Sequence, residues 1–76
     1  LEKLCDNSKA VLANLRARRD ALRERREDGE WALVYLADAV PLNMPRAEFA
    51  GHLSALEGAG VFQPYGDEVF GLVRLP

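Results

Sequence analysis

The sequence predicts an α+β chain that is mainly α: a long N-terminal helix, two shorter helices and a C-terminal β-hairpin. Three observations carry this expectation. Residues 1–28 contain no Gly or Pro and are rich in Leu, Ala, Arg and Glu, which lose little on entering a helix. Two further stretches, Glu30–Val40 and 45–58, repeat apolar residues three and four apart. The last stretch, Val61–Leu75, is β-rich instead, and its halves flank Pro64-Tyr65-Gly66-Asp67, a turn sequence.

The first helix reads as a coiled-coil-like element. With Leu1 at heptad position a, the seam runs Leu1, Leu4, Ser8, Val11, Leu15, Arg18, Leu22 and Arg25. The seam is apolar as far as Leu15 and then takes in arginines. At about 1.5 Å per residue the helix would reach roughly 42 Å, and a compact body of the remaining residues only about 25 Å. The chain therefore divides into residues 1–28, an overhanging amphipathic helix, and residues 29–76, a small body. Asp28-Gly29 marks the break, with Gly29 suited to a helix C-terminus.

Within the body, Leu33, Leu36, Ala37 and Val40 form one helical stripe, while Trp31, Val34 and Tyr35 cover another side. A helix apolar nearly all round is a buried helix. Pro41 ends it, and residues 41–44 make a turn. The third helix starts near Pro45, with Phe49, Leu53 and Leu56 as its core stripe, and stops around Gly58-Ala59-Gly60. In the final run Val69, Gly71, Val73 and Leu75 alternate with Phe70, Leu72 and Arg74.

Composition narrows the chemistry. Seventy-six residues allow one domain, and a formal net charge of -2 argues against a general polyanion binder. No apolar run is long enough to span a membrane. Cys5 stands alone, which excludes an internal disulfide and points to a reducing, cytoplasmic setting. The chain begins at Leu1 rather than Met, which points to trimming or to a longer parent. His52 is the only histidine, so no histidine pair can hold a metal; it reads as a residue flanking the core, and Cys5 as a small apolar filler. Asp67 and Glu68 read as a solvated turn pair. No catalytic, metal or cofactor site is expected, and the chain reads as non-enzymatic.

Leu53, Leu56, Glu57, Gly60 and Val61 spell L-x-x-L-E-x-x-G-V and are followed by the hairpin. Over residues 49–75 the chain thereby resembles the back half of a winged-helix domain, although only one helix is read between the Pro41 turn and the hairpin. The resemblance implies a dimeric transcriptional regulator whose helix before the wing enters the DNA major groove. The charges oppose that use: residues 29–76 hold two basic and six acidic side chains. The outward face of the third helix is Ala47, Gly51, Ser54, Ala55 and Gly58. Its small residues at four-residue spacing suit close packing against another helix.

Cations gather instead at Arg16, Arg18, Arg19, Arg23, Arg25 and Arg26, interleaved with Asp20, Glu24 and Glu27. On a helix these form a salt-bridged ridge. Arg16, Arg18, Arg19, Arg23 and Arg26 are the candidates for contact with nucleic acid or an acidic protein surface. The expected function is a dimerising interaction or assembly module. Its partner contact runs through Leu1, Leu4, Val11, Leu15, Trp31 and Tyr35, with Gly51 and Ala55 on the third helix. The alternative is a winged-helix-type DNA-binding regulator using the arginine-rich helix. No small-molecule substrate or membrane contact is expected.

Overall fold

Trp31, Ala32 and Val34 are all fully buried, and they are buried as a strand. A run apolar on two sides is, by periodicity, either an enclosed helix or a central strand. In the computed structural model, which describes residues 4–66 and 69–76 and only the backbone of 20 and 21, Gly29–Tyr35 is the second strand, β2. Only Leu36–Ala39 continues as a short helix, α2. The expected helix over Glu30–Val40 is thus corrected: Trp31, Val34 and Tyr35 are strand formers, and alternation sends their neighbours to both faces of a sheet. Gly29 opens β2 with φ +135°, and a Cβ there would sit 3.0 Å from Arg74 Nε. Any side chain would be strained on both counts.

The N-terminal helix is corrected as well. α1 covers Asp6–Ala17, and the arginine-rich segment Arg19–Arg26 is a strand, β1, paired antiparallel with β2. After Leu15 the only large apolar residue before Trp31 is Leu22. A helix through 18–28 would therefore bury almost nothing. As a strand the same residues satisfy the backbone groups on one edge of β2, which intrinsic helix propensity cannot outweigh. The division drawn between residues 28 and 29 falls at the end of the hairpin's two-residue turn, Glu27-Asp28. The principal extents are 32 × 26 × 20 Å, so nothing overhangs by the length of a 28-residue helix.

The other elements lie where the sequence places them. α3 spans Arg46–Gly58 with Pro45 at its N-cap, and β3 (Phe62–Tyr65) and β4 (Phe70–Arg74) form the last hairpin. The sheet is antiparallel in the order β1-β2-β4-β3, so the fold is a small α+β domain rather than a mainly α one with a hairpin appended. Pro64, read as part of a turn, sits inside β3. Arg74 N–H bonds to Val61 C=O, so two-residue alternation turns the backbone of Phe62 and Pro64 toward the open edge. A missing N–H at Pro64 therefore breaks no ladder bond.

Register assigns the faces. Ala32 and Val34 share a face with Val73, Gly71, Phe62 and Pro64. α1 and α3 pack on that side, joining Val11, Leu12, Leu15, Phe49 and Leu56 to the sheet residues in one core. Gly71 is favoured here, because a Cβ would collide with the Phe62 ring and come within 3.2 Å of Leu36. Asn14 closes α2 by donating its side-chain amide to the Ala39 carbonyl. The opposite face holds Trp31, Leu33 and Leu72. Trp31 is covered by Arg26, whose guanidinium carbon lies 5.6 Å from the ring centre, and its Nε1–H donates to Asp28 at 3.0 Å. Arg26 is held in turn by Glu24 and Gln63. Long cationic stems thus do the covering that a second helix layer would do elsewhere.

Candidate interaction surface

Of the eight residues expected to meet a partner, Val11, Leu15 and Trp31 lie in the interior of their own chain, and Leu4 packs partly buried against the core. The seam expected to meet a partner is covered by α3 and the sheet, because the shorter α1 lies across them instead of projecting. Leu1 falls outside the described residues, as do Asp67 and Glu68. Tyr35, Gly51 and Ala55 reach the surface. A Cβ at Gly51 would meet nothing within 4 Å, so no close packing inside this chain explains that glycine.

The arginines are redistributed. Arg16 and Arg18 end α1, where cations complement the helix dipole. Arg19, Arg23, Arg25 and Arg26 belong to β1 and divide between the two faces of its sheet. Arg23 pairs with Glu30 at 2.7 Å and Arg26 with Glu24 at 3.0 Å. Arg16 donates from Nε to the Arg74 carbonyl, and Arg19 to the Arg16 carbonyl. Burial, and then the nearby Arg74 charge, push the Arg16 guanidinium below its ordinary value. A continuous helical ridge does not exist.

What the sequence left unread is an open groove of about 510 Å³ between α3, α2 and the β3–β4 hairpin. Its floor and walls are apolar: Leu36, Val40, Leu53, Phe62, Val69 and Phe70. Tyr35, one of the expected contact residues, stands at its side with its ring 5.5 Å from that of Phe70. Arg46 and Glu57 also line it. They lie eleven residues apart, hence within about 20° on the helix surface and roughly 16 Å apart along it. On the turn between Val40 and Arg46, both of which line the groove, Leu42 is completely exposed (102%). The Arg46/Glu57 spacing was the available signal, hidden because Glu57 reads equally well as part of a helix-end motif.

A second polar cluster joins α1 to α3. Ser8 is 2% exposed, and its hydroxyl lies 2.8 Å from His52 Nδ1. His52 Nε2 is 3.5 Å from Glu48 Oε2 and makes no hydrogen bond among the described residues. The order Ser, His, Glu evokes acyl transfer. However, neither Ser8 nor His52 borders the groove and Ser8 is 2% exposed, so the pair serves to tie two helices together. Cys5, expected as an apolar filler, is exposed at the N-cap of α1. Its thiol donates to Ser8 at 3.4 Å. Hydrogen bonding from the Ser8 side chain, and then from backbone N–H groups, lowers the thiol from its ordinary value. Ser8→Ala removes the leading cause, so the pH at half-maximal alkylation of Cys5 by iodoacetamide moves upward. An unchanged pH–rate profile would refute that assignment.

Among the described residues, no group of three or more His, Cys, Asp or Glu side chains is placed to hold a metal ion, and no helix is long and apolar enough to cross a membrane. Comparison with known proteins returned no matching family model, no matching curated protein and no matching solved structure.

Proposed function

We propose that this chain is a non-enzymatic, homodimerising interaction module with a winged-helix-like body, and that two copies meet through the α3 groove. The observation that carries this is the groove's self-complementarity. A two-fold interface uses one patch twice, so the patch must contain both halves of each contact. Arg46 at the start of α3 and Glu57 near its end satisfy that condition: two α3 helices crossing antiparallel bring each Arg46 to the other copy's Glu57. Ala50 and Ser54, small residues between them on the groove side, allow the helices to approach. Exposed Leu42 supplies the apolar projection next to the apolar recess.

The winged-helix resemblance draws support from the succession of α2, a short turn, α3 and the β3–β4 hairpin. The DNA-binding alternative draws less. Arg46 is the only cation on α3, against Glu48 and Glu57, and the arginines nominated for phosphate contact are divided between a helix end and two faces of a strand.

Sedimentation across a dilution series tests the proposal by charge reversal. Arg46→Glu or Glu57→Arg alone sets like charges opposite one another twice per dimer, weakening association about tenfold or more. The double variant restores the wild-type constant. Both side chains are exposed, so at concentrations where the wild-type chain is monomeric each variant keeps its melting curve to within about 0.5 kcal/mol. A chain that stays monomeric up to about 100 µM, where a standard-size interface is expected to associate, overturns the reading. So does a double variant no tighter than the singles.

A further inference from the structure

The strand β1 ends the sheet, and its outer edge is open among the described residues. Which of its backbone groups face outward follows from one hydrogen bond. The Glu30 carbonyl accepts from Leu75 N–H, so Glu30 turns its backbone toward β4 and away from β1. Its partner across the hairpin, Arg25, is then a non-hydrogen-bonded position whose N–H and C=O point to the free edge. Alternation assigns the same role to Arg23, opposite Ala32. Two residues with free edge groups are therefore both arginines, both exposed, and both on the same face. Arg23 holds Glu30 on its own hairpin. Arg25 has no carboxylate within ion-pair distance among the described residues.

We propose that this edge accepts an acidic extended segment of a partner protein as a fifth strand, with two carboxylates spaced two residues apart. Strand addition supplies main-chain hydrogen bonds for affinity and alternate side chains for selection. A residue directly opposite Arg23 or Arg25 points to the same face as that arginine, and successive such residues are about 7 Å apart. An acid-x-acid pattern consequently meets both guanidiniums, whereas adjacent acids send one carboxylate to the far face. The same charges exclude a second copy of this chain, since β1 against β1 sets several arginines near one another, the usual protection of an edge strand. This strand lies at the sheet edge opposite β3, which borders the α3 groove, so the inference stands or falls independently of dimerisation.

The test compares three probes by fluorescence anisotropy at low salt: a peptide of Thr and Val with Glu at two positions two apart, its isomer with the Glu residues adjacent, and a short single-stranded oligonucleotide. The spaced peptide binds the wild-type chain about tenfold more tightly than the isomer, as two cross-strand ion pairs should provide. The Arg25 amide becomes slower to exchange with deuterium on binding. Arg23→Glu/Arg25→Glu loses the spaced peptide by at least tenfold and gains its Lys counterpart, a reversal that misfolding cannot produce. Equal affinity for both peptides, or unchanged exchange at Arg25, overturns the proposal. Preference for the oligonucleotide also overturns it, assigning the edge to phosphates instead.

Discussion

Leu15→Asp leaves the chain unfolded at 25 °C. Leu15 is 0% exposed and belongs to the cluster in which α1 meets α3 and the sheet. A carboxylate placed there sits among Val11, Leu12, Phe49 and Leu56 and away from solvent. Burying it ionised or forcing it neutral costs several kcal/mol, on top of the lost packing. A domain of 76 residues has a total stability of only about 4 to 11 kcal/mol. Leu15→Ala separates the two contributions: losing the side chain and leaving a cavity costs about 2 to 5 kcal/mol, which lowers the urea midpoint but leaves a folded population. Far-ultraviolet circular dichroism with urea titration reads both. A cooperative transition for the Asp variant at the wild-type midpoint would show that Leu15 lies on a surface. The experiment belongs at low micromolar concentration, so that the loss reflects the chain's own interior rather than dissociation.

Trp31→Ala should be nearly as damaging, by about 3 to 5 kcal/mol, for a different reason. Trp31 is also 0% exposed, but it occupies the sheet face opposite the one that carries Ala32, Val34 and the α1/α3 core. Its burial depends on Arg26, Glu24, Gln63 and Asp28, which are tied to one another and to the indole. Removing the ring exposes Leu72 and leaves the Arg26 stem without a surface to lie on. Trp31→Phe keeps an aromatic face for the cation and loses only the indole hydrogen bond to Asp28. It should cost about 1 to 2 kcal/mol, since one neutral-to-charged hydrogen bond and some area are lost. Thermal melts of the two variants separate these cases. Equal losses for Ala and Phe would mean that the hydrogen bond, not the covering of the ring, holds this face together.

Local pattern was sufficient where one element decides its own structure. α3 combines a proline start, a three-to-four apolar repeat and a glycine-rich stop, and neither competing periodicity nor an alternative partner disturbs it. The last hairpin was legible because alternation in residues 69–75 and a glycine-containing turn agree, although Pro64 and Tyr65, expected in the turn, belong to β3. The N-terminal half was misread where two patterns compete. Residues 18–26 are rich in helix formers and charged at seven of nine positions, so nothing local argues for a strand. Their conformation follows from β2, whose residues 31–34 need a hydrogen-bonded neighbour on each side. The groove was hidden for a related reason: its walls come from α2, α3 and the β3–β4 hairpin, and no window of sequence contains them together.

Sequence alone determined the position of α3 and of the closing hairpin, the single cysteine and histidine, and the arginines between residues 16 and 26. These depend on residue identity and on contacts only a few positions apart. Tertiary structure decided that Arg19, Arg23, Arg25 and Arg26 lie on an edge strand, that Val11, Leu15 and Trp31 face inward, and that Arg46 and Glu57 line one apolar recess. The physical reason is the pairing of β1 with β2. A strand's hydrogen bonds lie outside itself, so its existence is set by distant residues, whereas a helix closes its own.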